Sequence, residues 1–477
     1  MKKLTISTLL LLLILSCENG YAKLQGQAKI DSLINELPKQ KEDTTKAGLL
    51  CYITLGYSFV DPEQGLIYGQ KALELAQKLH WSTGIAKAYC NLGSCYQRKS
   101  DYAKSMEFYS AALKTSTEAG DKKGIADGSG NMGNVYFYQN DYPKALEYYT
   151  KALGMYEATD SKKDIASSNI NIGAVYLNMD NYPKALEYNF KALKVVEELG
   201  NKIGISVVTG NIGNVYVRLE DYTRALEYYG KAIDACKETD DKSGVASVTA
   251  NTGAVYLLQK NYPKALEYYT EALKLSDEIG YQKGSASNTK DIAIIYADQK
   301  KYGPALENFQ KALKVAETIG YKSEIAGILT GVGNTYLDIY EDPTPKTAVK
   351  TSTAIPAKPA LLHGAIDYLQ RGLAIAKETG EPETIKGCYE GLARAYKLNG
   401  DYKNALAASD NYRAINDSIF SKDNNKKTVQ LGMKYEYEKK DAVAKVEQEK
   451  RDAIAAKELQ KSCKSKNWNV MDLWVAL

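Results

Sequence analysis

The sequence predicts an all-α solenoid of about nine helix pairs, followed by a long charged helix. Three observations predict it. The first is a period: NTGAVY at Asn251 becomes NIGNVY at Asn211, NIGAVY at Asn171, NMGNVY at Asn131 and NLGSCY at Asn91, each a step of 40 residues. A fixed period of this size marks stacked repeats, each of which buries its apolar face only against a neighbour. The second is the spacing inside the unit. Ala145, Leu146, Tyr149, Ala152 and Leu153 fall on one face of a helix. The third is punctuation. Gly120, Gly200, Gly280 and Gly320 stand where left-handed helix caps are needed. Pro143, Pro183 and Pro263 open a helix, where the missing N–H has no helical partner to lose.

Composition agrees with a folded chain: of 477 residues, 44% are hydrophobic and 25% charged. The net charge of +4 is spread along the length, which argues against nucleic-acid binding through a basic surface. Tyrosine is used 38 times and phenylalanine 6 times, because the repeat spends tyrosine at fixed slots.

Taken in order, residues 1–22 read as a secretory signal. Lys2 and Lys3 precede an apolar run, Leu9 to Leu15, that is too short for a lasting membrane span. Two processing sites stand open. Cleavage after Ala22 gives a soluble exported protein of the periplasm or cell envelope. Alternatively, Ile14-Leu15-Ser16-Cys17 resembles a bacterial lipobox, which ends the signal at 16 and leaves Cys17 lipidated as a membrane anchor. Residues 23–43 form a capping helix that gives the solenoid a polar end. The solenoid itself runs from 44 to 417. Its first copy has a shortened turn at DPEQ. Regular copies begin near Gly84, Gly124, Asp164, Gly204, Gly244 and Gly284, an eighth near Glu324 and a ninth near Glu383. An insert at about 341–362, rich in Pro, Thr, Lys and Ala, makes an exposed loop in repeat eight, with the second helix resuming at Ala365.

Residues 418–461 form a charged helical stalk, whose Lys-, Glu- and Ala-rich part from about Lys427 to Lys461 spans about 50 Å as one helix. Its seam of Val443, Val446, Ala453 and Ile454 is thin and supports no more than a weak dimer. Residues 462–477, with Trp468 and Trp474, are an irregular tail.

No catalytic residue, metal ligand or cofactor site is expected, and the chain is not read as an enzyme. GSGNMG at Gly128 to Gly133 has the spelling of a dinucleotide loop, but it lies inside a repeat helix and the next copy replaces it with SSNINIG. Only His80 and His363 are present, and the seven cysteines form no CxxC. Cys90 and Cys95 read as packing residues of one helix. Glu147, Glu187, Glu227 and Glu267 recur because the repeat recurs, and read as a solvated face.

Gly133, Tyr136, Ala145, Tyr149 and Ala152 match the small and aromatic positions of the tetratricopeptide repeat. The chain resembles the 40-residue class of that family, as in kinesin light chains and bacterial signalling proteins. A lengthened second helix is expected to supply the extra residues. The resemblance implies a superhelix whose first helices line a concave groove for a peptide or protein. It places groove residues one, four and five after the small glycine. Those include Asn134, Phe137 and Tyr138, then Ala174, Leu177 and Asn178, then Asn214, Val217 and Arg218, and later Asn334, Leu337 and Asp338. Arg98 belongs to the same row. The expected site residues are thus Arg98, Asn134, Phe137, Tyr138, Asn178, Asn214, Arg218 and Asn334, with asparagine amides able to pair with an extended backbone. A second ladder, Asn131, Asn171, Asn211 and Asn251, reads as packing.

Three functional expectations follow. The preferred one is a protein-interaction scaffold or sensor module. A second is the sensor half of a signal-transduction receptor, similar to the extracytoplasmic region of bacterial membrane-anchored receptors with histidine kinase, nucleotide cyclase or DNA-binding outputs. Its membrane span and output domain would then be missing after Gln460. A third is an envelope lipoprotein assembly factor held through Cys17.

Overall fold

A computed structural model describes residues 21–99, 101–343 and 358–417. The expected signal segment up to residue 20 with Cys17, most of the insert, the stalk and the tail lie outside them. Among the described residues the helices fall into nine antiparallel pairs preceded by one further helix. First helices are Thr44–Val60, Ser82–Arg98, Lys122–Tyr138, Lys162–Asn178, Lys202–Arg218, Lys242–Leu258, Gln282–Asp298, Lys322–Glu341 and Pro382–Leu398. Their partners are Pro62–Lys78, Tyr102–Glu118, Tyr142–Ala158, Tyr182–Glu198, Tyr222–Glu238, Tyr262–Glu278, Tyr302–Thr318, Lys358–Thr379 and 402–417.

The 40-residue period is two equal halves. In the regular repeats both helices have 17 residues, for example Lys122–Tyr138 and Tyr142–Ala158. The extra length is therefore shared between the two helices, not concentrated in the second as expected. Each three-residue turn has a fixed chemistry. One residue takes a left-handed backbone: Gly120, Gly200 and Gly280 after second helices, and Asn140, Asp180, Glu220 and Lys260 after first helices. The third residue is an N-cap. Asp141, Asn181, Asp221 and Asn261 each accept a hydrogen bond from the backbone N–H three residues on, at 3.0 to 3.3 Å. Repeat one departs from this, since Asp61 alone joins its helices, and Pro62 follows at the first helical position. In repeat eight the first helix runs on to Glu341 and the second begins at Lys358. It therefore starts seven residues before Ala365, and Leu361 and Leu362 are buried in the core rather than in a loop.

Packing repeats with the sequence. Ala145, Ala185, Ala225, Ala265 and Ala305 are fully buried where the paired helices cross. At Gly213 an added Cβ would lie 2.5 Å from the ring of Tyr229, so only glycine lets the second helix come this close. Gly93 and Gly133 stand in the same relation to Tyr109 and Tyr149. The other tyrosines make a ladder of stacked pairs, Tyr136 on Tyr148, Tyr176 on Tyr188, Tyr216 on Tyr228 and Tyr256 on Tyr268, with centroids 5.3 to 5.6 Å apart. Lys144, Lys184, Arg224 and Lys264 lie over the first ring of each pair, at 4.6 to 5.0 Å. The ladder takes two tyrosines from each of these repeats.

Among the described residues successive first helices touch one another at nearly every step, whereas successive second helices make no comparable contact. The first helices therefore lie on the inside of the superhelix. The preceding helix, Tyr21–Glu36, packs on the first repeat and places Ile30 against Gly56. It also touches Lys242–Leu258, the first helix of repeat six. No helix of the described residues is long and apolar enough to cross a membrane.

Candidate functional site

The candidate site is the inner face of the first helices. GSGNMG is a mid-helix segment of Lys122–Tyr138, as its place in the repeat requires. Glu147, Glu187, Glu227 and Glu267 lie exposed on the second helices, and Glu187 and Glu227 pair with Lys191 and Lys231 one turn on, at 2.9 and 2.7 Å. Cys90 and Cys95 are free thiols. Burial pushes both up to about 12, which removes the thiolate that reactivity needs.

The expected groove residues separate into two groups. Asn134 and Asn214 are part of the packing. The hydroxyl of Tyr149 donates to Asn134 Oδ1 and that of Tyr229 to Asn214 Oδ1, both at 2.6 Å, and Asn214 is only 4% exposed. The tyrosine that fills the space over the small glycine also reaches the next residue and engages its amide oxygen. The position four after the glycine is likewise core in most repeats, since Leu177, Val217, Leu257 and Leu337 are buried. Phe137 is half-buried, at 5.9 and 6.0 Å from the rings of Tyr138 and Tyr142. Asn334 is half-buried, with Oδ1 close to Gly391 of repeat nine.

The position five after the glycine forms the accessible row: Arg98, Tyr138, Asn178, Arg218, Leu258, Asp298 and Asp338. Arg98 lies over the ring of Phe59 at 4.2 Å, and Tyr138 stacks on Tyr102 at 6.4 Å. Asn178 donates back to its own helix at Ala174, 2.9 Å away, and Arg394 holds Asp338 at 2.8 Å. The row is cationic or neutral early and acidic late. A position further towards each helix start is exposed in repeat five, where Ile203 and Val207 are 61% and 39% exposed. One repeat later the equivalents Ser243 and Ser247 are buried, in the helix that the N-terminal segment touches.

The repeat pattern breaks most sharply at Lys290, Asp291 and Glu324. At the first of these places sister repeats carry Gly130, Ile170, Gly210 and Ala250. At the second they carry Asn131, Asn171, Asn211 and Asn251, and at the third Gly124, Gly204, Gly244 and Gly284, with Asp164 in repeat four. Asp291 and Glu324 are buried, and the Lys290 side chain is 14% exposed. Lys290 Nζ stands 2.8 Å from Glu324 Oε1 and 3.7 Å from Asp291 Oδ1. Burial alone would lower the lysine, but the carboxylates of Glu324 and Asp291 hold it above the usual ammonium range. Burial raises Asp291 to about 6, against the pull of Lys290 and with the push of Glu324. The three side chains line a cup of about 70 Å³ together with Ser247, Tyr269 and Tyr321. Sequence reasoning passed over this cluster. The available signal was the aspartate and lysine at the one step where the asparagine ladder stops.

Comparison with known proteins places these features. The tetratricopeptide repeat family pattern matches residues 84–158, 164–238 and 244–318. No curated protein matches the sequence significantly. Among solved structures, a signal-transduction ATPase with a tetratricopeptide repeat sensor from Pyrococcus horikoshii is similar in fold, at 17% identity and a TM-score of 0.53. The match covers 81% of this chain and 55% of that one. The apo form of the quorum sensor NprR from B. thuringiensis is similar at 15% identity and a TM-score of 0.52, over 83% of this chain and 99% of that one.

Proposed function

We propose that this chain, a tetratricopeptide repeat protein over residues 84–318, is a protein-interaction scaffold or sensor module that holds a peptide or protein against its first helices. The observation that carries the reading is a contrast between its two faces. The tyrosine ladder and the caps recur almost unchanged, while the inner row passes from Arg98 through Asn178 and Arg218 to Asp298. Packing demands uniformity, and a surface that varies at every step suits recognition of a specific chain. The two sensors of similar fold support the reading. It requires no reaction and no cofactor.

The test is selection of peptides from a display library on the purified chain, followed by titration of the selected sequences into an Asn178→Ala, Arg218→Glu double variant. The reading expects a loss of about tenfold or more. Unchanged affinity in a folded variant rejects the groove. Export is the second part of the proposal and is motivated by Lys2, Lys3 and the apolar run from Leu9 to Leu15. Mass spectrometry of the mature N-terminus distinguishes a lipidated Cys17 from cleavage after Ala22, and an intact Met1 rejects both.

A further inference from the structure

We infer that the cup between repeats six, seven and eight binds a protonated nitrogen group, an ammonium or guanidinium presented by the ligand of the groove. The inference rests on the groove reading and gives that ligand a chemical feature. It stands on unmet acceptors. Asp291 Oδ1 is buried and lines the cup, with the Tyr269 hydroxyl as its neighbour and the nearest cation, Lys290 Nζ, beyond hydrogen-bond reach at 3.7 Å. Ser247 Oγ lines the same cup, is buried and has no partner. Buried polar atoms are rarely left in this condition, and each costs free energy until a partner arrives.

The lysines at the cup are already engaged. Two lysines line the cup with the two buried carboxylates, and Lys290 is committed to Glu324 at 2.8 Å. Lys283, on the rim, is held over the ring of Tyr321 at 5.2 Å. A donor-rich cation satisfies Asp291 Oδ1 and Ser247 Oγ together. The volume of about 70 Å³ suits a group of a few heavy atoms. Repeats three to six place Asn at the position of Asp291. Asn keeps the shape and removes the charge.

The experiment uses the full chain and isothermal titration calorimetry. The probes are blocked pentapeptides Gly-Gly-X-Gly-Gly with X as arginine, lysine, citrulline or glutamine, and methylguanidinium chloride as a free cation. The arginine or lysine peptide is expected to bind at least about tenfold more tightly than citrulline and glutamine. Asp291→Asn restores the residue of the sister repeats, so it folds, and it abolishes the preference. Tyr269→Phe, with its hydroxyl beside Asp291, weakens the preference and leaves the fold intact. Binding by methylguanidinium that competes with the peptide identifies a free small cation as sufficient; peptide binding without competition identifies a side chain in a chain as the source, and both support the cup. Equal binding of arginine and citrulline peptides, no binding of any probe, or an unchanged preference in Asp291→Asn overturns the assignment. Failure of the groove reading is distinct, because it shows as selected ligands indifferent to Arg218→Glu.

Discussion

Repeats three to five and the seam between repeats seven and eight are built on the same backbone and stabilised in different ways. In the first region every step has a tyrosine pair under a cation and a half-turn capped by Asp or Asn. At the glycine, a tyrosine is packed in repeats three and five, and Asn189 in repeat four. In the second, Ala293 replaces the glycine, Phe309 replaces the tyrosine, and a lysine with two buried carboxylates occupies places that are mostly small or amide elsewhere. The difference teaches where selection for stability ends. Uniform packing stabilises a stack through nearest neighbours alone. A buried ion cluster adds little net stability, because desolvation offsets attraction, so its retention calls for another reason.

The comparison breaks most visibly at Lys290. Replacing it by Met leaves Asp291 and Glu324 buried together without their cation, and a loss of about 3–5 kcal/mol in urea unfolding is expected. The triple variant Lys290→Ala, Asp291→Asn, Glu324→Gly, which rewrites the seam as its sisters, recovers most of that loss. If the single variant is as stable as the parent, the cluster is not an ion cluster in the folded chain.

Acidity gives the next effect. Asp291 binds its proton more tightly folded than unfolded, so it contributes stability below its unfolded value near 3.8 and loses it as pH rises through about 6. The groups facing it, Lys290, Glu324 and Tyr269, are common to parent and Asp291→Asn, as are all other carboxylates. The variant should therefore gain on the parent by on the order of 3 kcal/mol between pH 4 and pH 7, read as the difference of two pH–stability curves. A constant difference contradicts the burial of the carboxylate.

In the regular region, Gly213→Ala forces a Cβ to 2.5 Å from the Tyr229 ring and is expected to cost about 1–3 kcal/mol. Tyr229→Phe removes the donor to Asn214 and leaves a buried amide oxygen unpaired, for a smaller loss of about 1 kcal/mol. If Tyr229→Phe is neutral while an Asn214→Ala variant loses ligand, Asn214 belongs to the groove after all.

The solenoid was legible because the period exposes it: Gly133, Tyr136, Ala145 and Tyr149 return in most copies, and each return fixes a helix face. Depth in the groove was not legible. Asn134 stands on the inner side of its helix by spacing, but its amide oxygen accepts from a tyrosine 15 residues away on the other helix. Helical phase gives the direction of a side chain and not the reach of its neighbours. Nor could the period show that Tyr21–Glu36 touches repeat six, a contact set by the superhelix over some 200 residues. Lys290 and Asp291 were readable as exceptions, but their burial depends on Glu324 from the next repeat.

The most direct test of the account is photocrosslinking to the partner from p-benzoylphenylalanine placed at single positions. Placed at Asn178 or Arg218 on the first helices, it should capture the ligand, and placed at Glu147 or Glu227 on the second helices it should not. Capture from the second helices alone would contradict an inner recognition face.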